Sequence, residues 1–97
     1  MSADERVFWR SDSCCVWVGY DDGGRLVFNG VDREHLDGYE YSIAVAPDQF
    51  DKLRGAFDAD AAVDVVDLVC EHVDDIMSRG ERTWLDERGI ENAFNCQ

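Results

Sequence analysis

A chain of 97 residues with 22 Asp and Glu against 9 Lys and Arg carries a formal net charge of −13. That balance repels phosphate backbones and anionic lipid, and so argues against nucleic acid or membrane as a partner. Yet 45% of the residues are hydrophobic and 11% aromatic, too many for a solvated acidic tail.

Surface scaling buries roughly 65% of the accessible area of a chain this size, so one compact domain over residues 1–97 is expected, with no metal or disulfide needed to hold it. The opening Met1-Ser2-Ala3-Asp4-Glu5-Arg6 has acids where a secretory signal needs a basic segment. No apolar run approaches the roughly 18 residues of a spanning helix. A mature-length cytoplasmic chain with reduced thiols at Cys14, Cys15, Cys70 and Cys96 is the expectation.

The first half reads as strands. Arg6 to Arg10 and Cys14 to Tyr20 are rich in Val, Trp, Phe and Tyr and flank the polar Ser11-Asp12-Ser13. Asp21-Asp22-Gly23-Gly24 is a hairpin signal leading into Arg25 to Val31. Beyond a polar loop, Tyr39, Tyr41, Ile43 and Val45 alternate with Glu40, Ser42 and Ala44, the period of a half-buried strand.

The second half reads as helices. Pro47 suits a first helical turn, and Phe50, Leu53 and Phe57 form one apolar stripe. Asp58 and Asp60 stand where N-caps belong, opening a longer helix that runs to about Met77. Gly80 either closes that helix, or Ser78 with Glu81 caps a third short one carrying Trp84 and Leu85. Gly89 ends the helical region, and Ile90 to Cys96 returns to the sheet as a last strand. The expected fold is α+β: a four- to five-stranded, largely antiparallel sheet with two or three helices on one face, in the order ββββααα(β).

On a wheel of about 100° per residue, Asp60, Asp64, Asp67, Glu71, Asp74 and Asp75 fall between roughly −40° and +60°, with Asp58 at the rim. Val63, Val65, Val66, Val69, Val73 and Ile76 fill the opposite arc. No Lys or Arg occurs between Asp58 and Ser78. Acids three and four apart repel along a helix, so a fold selected for stability alone would mix in cations. Two explanations compete. One is a solvated face, in keeping with 15 Asp to 7 Glu and 8 Arg to 1 Lys. The other is a docking face for a basic protein partner, where a rigid row of carboxylates stands in for phosphates.

Chemistry is sparse elsewhere. Cys70-x-His72 lies some 160° apart on a helix, no Cys-x-x-Cys occurs, and no spacing joins His35 to a cysteine, so neither a zinc site nor a Cys–His nucleophile is expected. Gly-x-Ser-x-Gly and Gly-rich phosphate loops are missing from the sequence. No cofactor and no metal is expected, and the chain reads as a non-enzyme. Of Trp9, Trp17, Tyr20, Tyr39, Tyr41 and Trp84 most are expected in the core, with one or two of Trp17, Tyr39 or Tyr41 exposed on the sheet's uncovered face as interface anchors.

Tyr39-Glu40-Tyr41 leading into Val45-Ala46-Pro47-Asp48, with Trp84-Leu85-Asp86-Glu87-Arg88-Gly89-Ile90 before a final strand, resembles a family of short uncharacterised actinobacterial proteins over residues 39–57 and 81–96. The resemblance implies a bacterial cytosolic origin and one compact domain; it carries no activity. Together these readings favour a toxin-immunity or nuclease-inhibitor type of binding protein. The alternatives are a soluble domain whose acidity serves only solubility, or a small ligand-binding domain using the open sheet face.

Overall fold

The computed structural model describes residues 6–12, 14–32 and 39–96. Five strands, β1 (Arg6–Arg10), β2 (Cys14–Tyr20), β3 (Leu26–Asp32), β4 (Tyr39–Val45) and β5 (Ala93–Cys96), form one antiparallel sheet in the spatial order β1-β2-β3-β4-β5. Between β4 and β5 come a 3₁₀ turn at Pro47–Gln49 and helices α1 (Phe50–Ala56), α2 (Val65–Glu71), α3 (Val73–Arg79) and α4 (Glu81–Glu87).

Alternation along the strands decides which face is covered. Val16 and Val18 of β2, Leu26 and Phe28 of β3, and Ile43 and Val45 of β4 are buried, and join Leu53, Val65, Val69, Ile76, Trp84 and Leu85 of the helices in one hydrophobic cluster. In β1 the register shifts between Val7 and Trp9, which turns Phe8 into the core against Phe28, ring centroids 5.2 Å apart. The expected α+β order is present, with β5 confined to the last residues of the predicted Ile90 to Cys96 segment.

The hairpin between β2 and β3 is held by one side chain. The Asp21 carboxylate accepts the backbone N–H groups of Gly23 and Arg25, each at 2.9 Å, and the Arg25 Nε at 2.7 Å. Those donors, the Arg25 backbone N–H foremost, hold the Asp21 carboxyl below its usual range.

One expected helix is corrected. Residues 58–77 do not form a continuous helix capped at Asp58 or Asp60. Asp58 adopts φ 54°, and Ala59 donates its N–H to the Arg54 carbonyl at 2.9 Å, which terminates α1. The chain then turns, with Val63 N–H on the Asp60 carbonyl at 3.1 Å and Arg54 Nε on the Val63 carbonyl at 2.8 Å. Helix α2 begins only at Val65, with Asp64 as its N-cap: the Asp64 carboxylate accepts the Asp67 N–H at 3.0 Å.

The helix breaks again at His72 (φ −118°, ψ 28°), whose imidazole stacks on Phe57 with centroids 3.9 Å apart; Phe57 in turn stacks on Trp84 at 5.1 Å. Docking those rings fixes the angle between α2 and α3, and propensity yields to it. Gly80, at φ 86° and ψ 142°, joins α3 to α4 in a region essentially closed to other residues. Of the two sequence readings at this point, the third helix is the one that forms, but no side-chain cap opens it.

Candidate functional site

The seven acids between Asp58 and Asp75 were the sequence's candidate surface, and the helix breaks divide them. Asp58 and Asp60 lie in the segment between α1 and α2, Asp64, Asp67 and Glu71 on α2 and its cap, and Asp74 and Asp75 in the first turn of α3. All seven are exposed. They are not one straight seam.

Three of the seven are committed within the fold. Asp64, besides capping α2, accepts the Tyr20 hydroxyl. Burial, reinforced by that carboxylate, pushes the Tyr20 phenol up to about 12. Asp67 pairs with the Arg6 guanidinium of β1, whose own pKa is raised by that hydrogen bond. Asp75 accepts the indole Nε1–H of fully buried Trp84 at 3.1 Å and stands 3.9 Å from Arg88. These contacts tie α2 to the sheet and α3 to α4.

The remaining four, Asp58, Asp60, Glu71 and Asp74, form no ion pair or side-chain hydrogen bond among the described residues. The free carboxylates therefore alternate with the structural ones along residues 58–75, Asp58 and Asp60 preceding Asp64 and Asp67, and Glu71 and Asp74 preceding Asp75, and no cation among the described residues pairs with them.

One buried acid lay outside the sequence's candidate surface. Glu81 is only 5% exposed and accepts the Tyr41 hydroxyl. Ser78 and Glu81 suggested reciprocal capping; instead Ser78 Oγ donates to the Asp75 carbonyl at 2.7 Å and Glu81 turns inward. Nothing in the local sequence distinguishes the two arrangements, because Tyr41 arrives from 40 residues away.

Thiols and imidazoles are dispersed. Cys14 and Cys15 point to opposite faces of β2, as neighbours in a strand must. All four cysteines are free, and burial pushes the Cys70 thiol up, away from the reactive range. His35 and the side chain of Tyr39 lie outside the described residues. Among the described residues no three His, Cys, Asp or Glu side chains are placed to hold a metal ion.

The second surface is the uncovered sheet face. Trp17 is there, half-buried, while Trp9, Tyr20 and Tyr41 pack against the core side and Trp84 is enclosed. Next to Trp17 is a depression of about 460 Å³ lined by Val7, Arg10, Ser11, Asp12, Cys14 and Cys15. A shallower one, about 290 Å³, lies between Asn29, Val31, Glu40, Ser42 and Asn95.

No family model, curated protein or solved structure matches this chain. Geometry and charge are therefore what carry a functional reading. No helix among the described residues is long and apolar enough to cross a membrane.

Proposed function

We propose that this chain is a non-enzymatic cytoplasmic binding protein that neutralises a basic protein partner, in the manner of a toxin-immunity protein or nuclease inhibitor. The observation that carries the reading is the set of four exposed carboxylates, Asp58, Asp60, Glu71 and Asp74, without a cation partner among the described residues and in a stretch lacking Lys and Arg. An anionic surface of this kind steers a cationic partner into encounter and occludes a positively charged cleft once docked. Asp64, Asp67 and Asp75 add to the field while holding the helices in place. They are poor probes of binding, because replacing them removes a cap, an ion pair or the partner of a buried indole.

The test is affinity capture from a lysate of the source organism at about 0.1 M and about 0.5 M salt, a span over which the screening length falls from about 10 Å to roughly half that. The baits are the wild type and the triple variant Asp60→Lys/Glu71→Lys/Asp74→Lys, checked for folding by circular dichroism. The expected result is one basic protein, held stoichiometrically by the wild type at low salt and lost by the variant. Lanes that are empty, or identical for both baits, would reduce the acidic surface to a solubility device.

A further inference from the structure

We propose that the uncovered sheet face is a self-association surface, and that two copies of this chain pack it face to face about a two-fold axis running parallel to the strands between β2 and β3. Charge and strand register on this face favour such a dimer independently of the acidic helical layer.

The strand positions of this face balance in charge in a chain of net charge −13, with exposed Asp12 at their rim. Strand parity places Val7, Arg10, Cys15, Trp17, Val27, Val31, Glu40, Ser42 and Ala44 on it, opposite the buried side chains, and these include one cation and one anion. The seven acids of residues 58–75 belong to the helical layer on the other side of the sheet. A second copy approaching through this face therefore brings no acid row against another. Val7, 52% exposed, is the one large hydrophobic residue among those described that stands open to solvent. Together with half-buried Trp17, Val27 and Val31 it gives the face an apolar centre.

The two charges occupy matched positions. Arg10 pairs with Cys15, Cys15 with Val31, and Val31 with Glu40, so one row crosses four strands with opposite charges at its ends. At about 4.8 Å per strand, Arg10 and Glu40 stand roughly 14 Å apart, each about 7 Å from a line between β2 and β3. Both are exposed and neither has an ion-pair partner among the described residues. A half-turn about that line exchanges β1 with β4 of the second copy and β2 with β3. It therefore sets Arg10 against the other copy's Glu40, and Glu40 against its Arg10, in two identical pairs. Cys15 then faces Val31, and Trp17 faces Asn29. Sheets stacked this way sit about 10 Å apart with strands near −30°, an offset that long Arg and Glu side chains can span. A half-turn about an axis perpendicular to the strands through this row would instead set Arg10 against Arg10 and Glu40 against Glu40.

The size of the face bounds the contact. The four overlapping strands β1–β4, rising about 3.3 Å per residue and spaced about 4.8 Å, give roughly 400 Å² a side, so the dimer would bury about 800 Å² in total, in the range of weak, transient interfaces. An interface of that size belongs to the weak, reversible class, so association is expected only towards the upper end of accessible concentrations.

Sedimentation equilibrium from about 1 µM to about 500 µM tests this directly. The wild type should rise from 11.0 kDa towards twice that mass. Arg10→Glu and Glu40→Arg each create two like-charge pairs per dimer and should each weaken association about tenfold, while the double variant should recover to within about twofold of wild type. Both positions are exposed, so folding is retained, which circular dichroism verifies. A mass of 11.0 kDa at every concentration would overturn self-association and leave the face to a foreign partner or to none. A dimer indifferent to the single reversals, or one that the double variant fails to restore, would overturn the two-fold register.

Discussion

Replacing Asp64 by Ala removes two interactions at once, because its carboxylate both caps α2 through the Asp67 N–H and accepts the Tyr20 hydroxyl from β2. Loss of an Asp cap costs about 1 kcal/mol. The tyrosine hydrogen bond, to a charged acceptor but at an exposed carboxylate, contributes about another 1 kcal/mol. The variant should therefore lose about 2 kcal/mol, which for a domain of this size lowers Tm by roughly 8–16 °C. Urea denaturation followed by far-ultraviolet circular dichroism measures the difference. Asp64→Asn keeps one acceptor oxygen for two donors that bind different oxygens of the Asp64 carboxylate, and should lose about 1 kcal/mol, between wild type and the Ala variant. A double-mutant cycle with Tyr20→Phe should return a coupling of about 1 kcal/mol. Asp60→Ala, at the position that the sequence pattern favours as the cap, should stay within about 0.5 kcal/mol of wild type because its side chain bonds to nothing among the described residues. If Asp60→Ala costs more than Asp64→Ala, or the cycle gives no coupling, the assignment of the helix start and of its anchor to the sheet is wrong.

Two further outcomes follow from particular contacts. The Tyr20 phenol is raised from its ordinary value of 10.0 to about 12, so the folded state holds that proton more tightly than the unfolded chain. Its contribution is complete below about pH 10 and is lost as the pH climbs through about 12; after solvent screening it amounts to roughly 1 kcal/mol, and the stability curve of Tyr20→Phe should lack it. A Cβ built on Gly30 would lie 2.3 Å from the Tyr41 ring. That ring cannot simply swing aside, since it donates to buried Glu81 and stacks on Phe94, so Gly30→Ala should cost about 1–3 kcal/mol by urea titration, and a value near zero would show the ring to be free.

The sheet was legible because period-two alternation at Tyr39, Tyr41, Ile43 and Val45, and the run of β-branched and aromatic residues at Cys14 to Tyr20, state a half-buried strand without help from elsewhere. Asp21 announced its hairpin because all its partners lie within four residues. The helical half resisted for the opposite reason. Asp58, Asp60 and Asp64 are equally good caps by residue type, and what selects Asp64 is a tyrosine 44 positions earlier together with Arg54 holding the Val63 carbonyl. The break at His72 depends on Phe57 and Trp84, and local propensity carries no trace of that stack. The candidate surface was legible as a charge pattern, but which carboxylates are free and which are structural is set by Arg6, Tyr20, Trp84 and Arg88, all outside the stretch or on other elements.

The position of β5 has a kinetic consequence. The four strands of the meander find their neighbours through short connections, whereas β5 pairs with β4 only after the chain has travelled through all four helices. Loop-closure entropy makes that pairing late, and with four residues the strand offers few ladder bonds in return. Its principal anchor is Phe94, stacked on Tyr41 and covered by the Arg82 guanidinium at 4.6 Å. Because β5 lies at the sheet's edge, it can detach and rejoin without disturbing any other strand pair, so backbone amides there should exchange with solvent through a local opening long before the β2–β3 hairpin does.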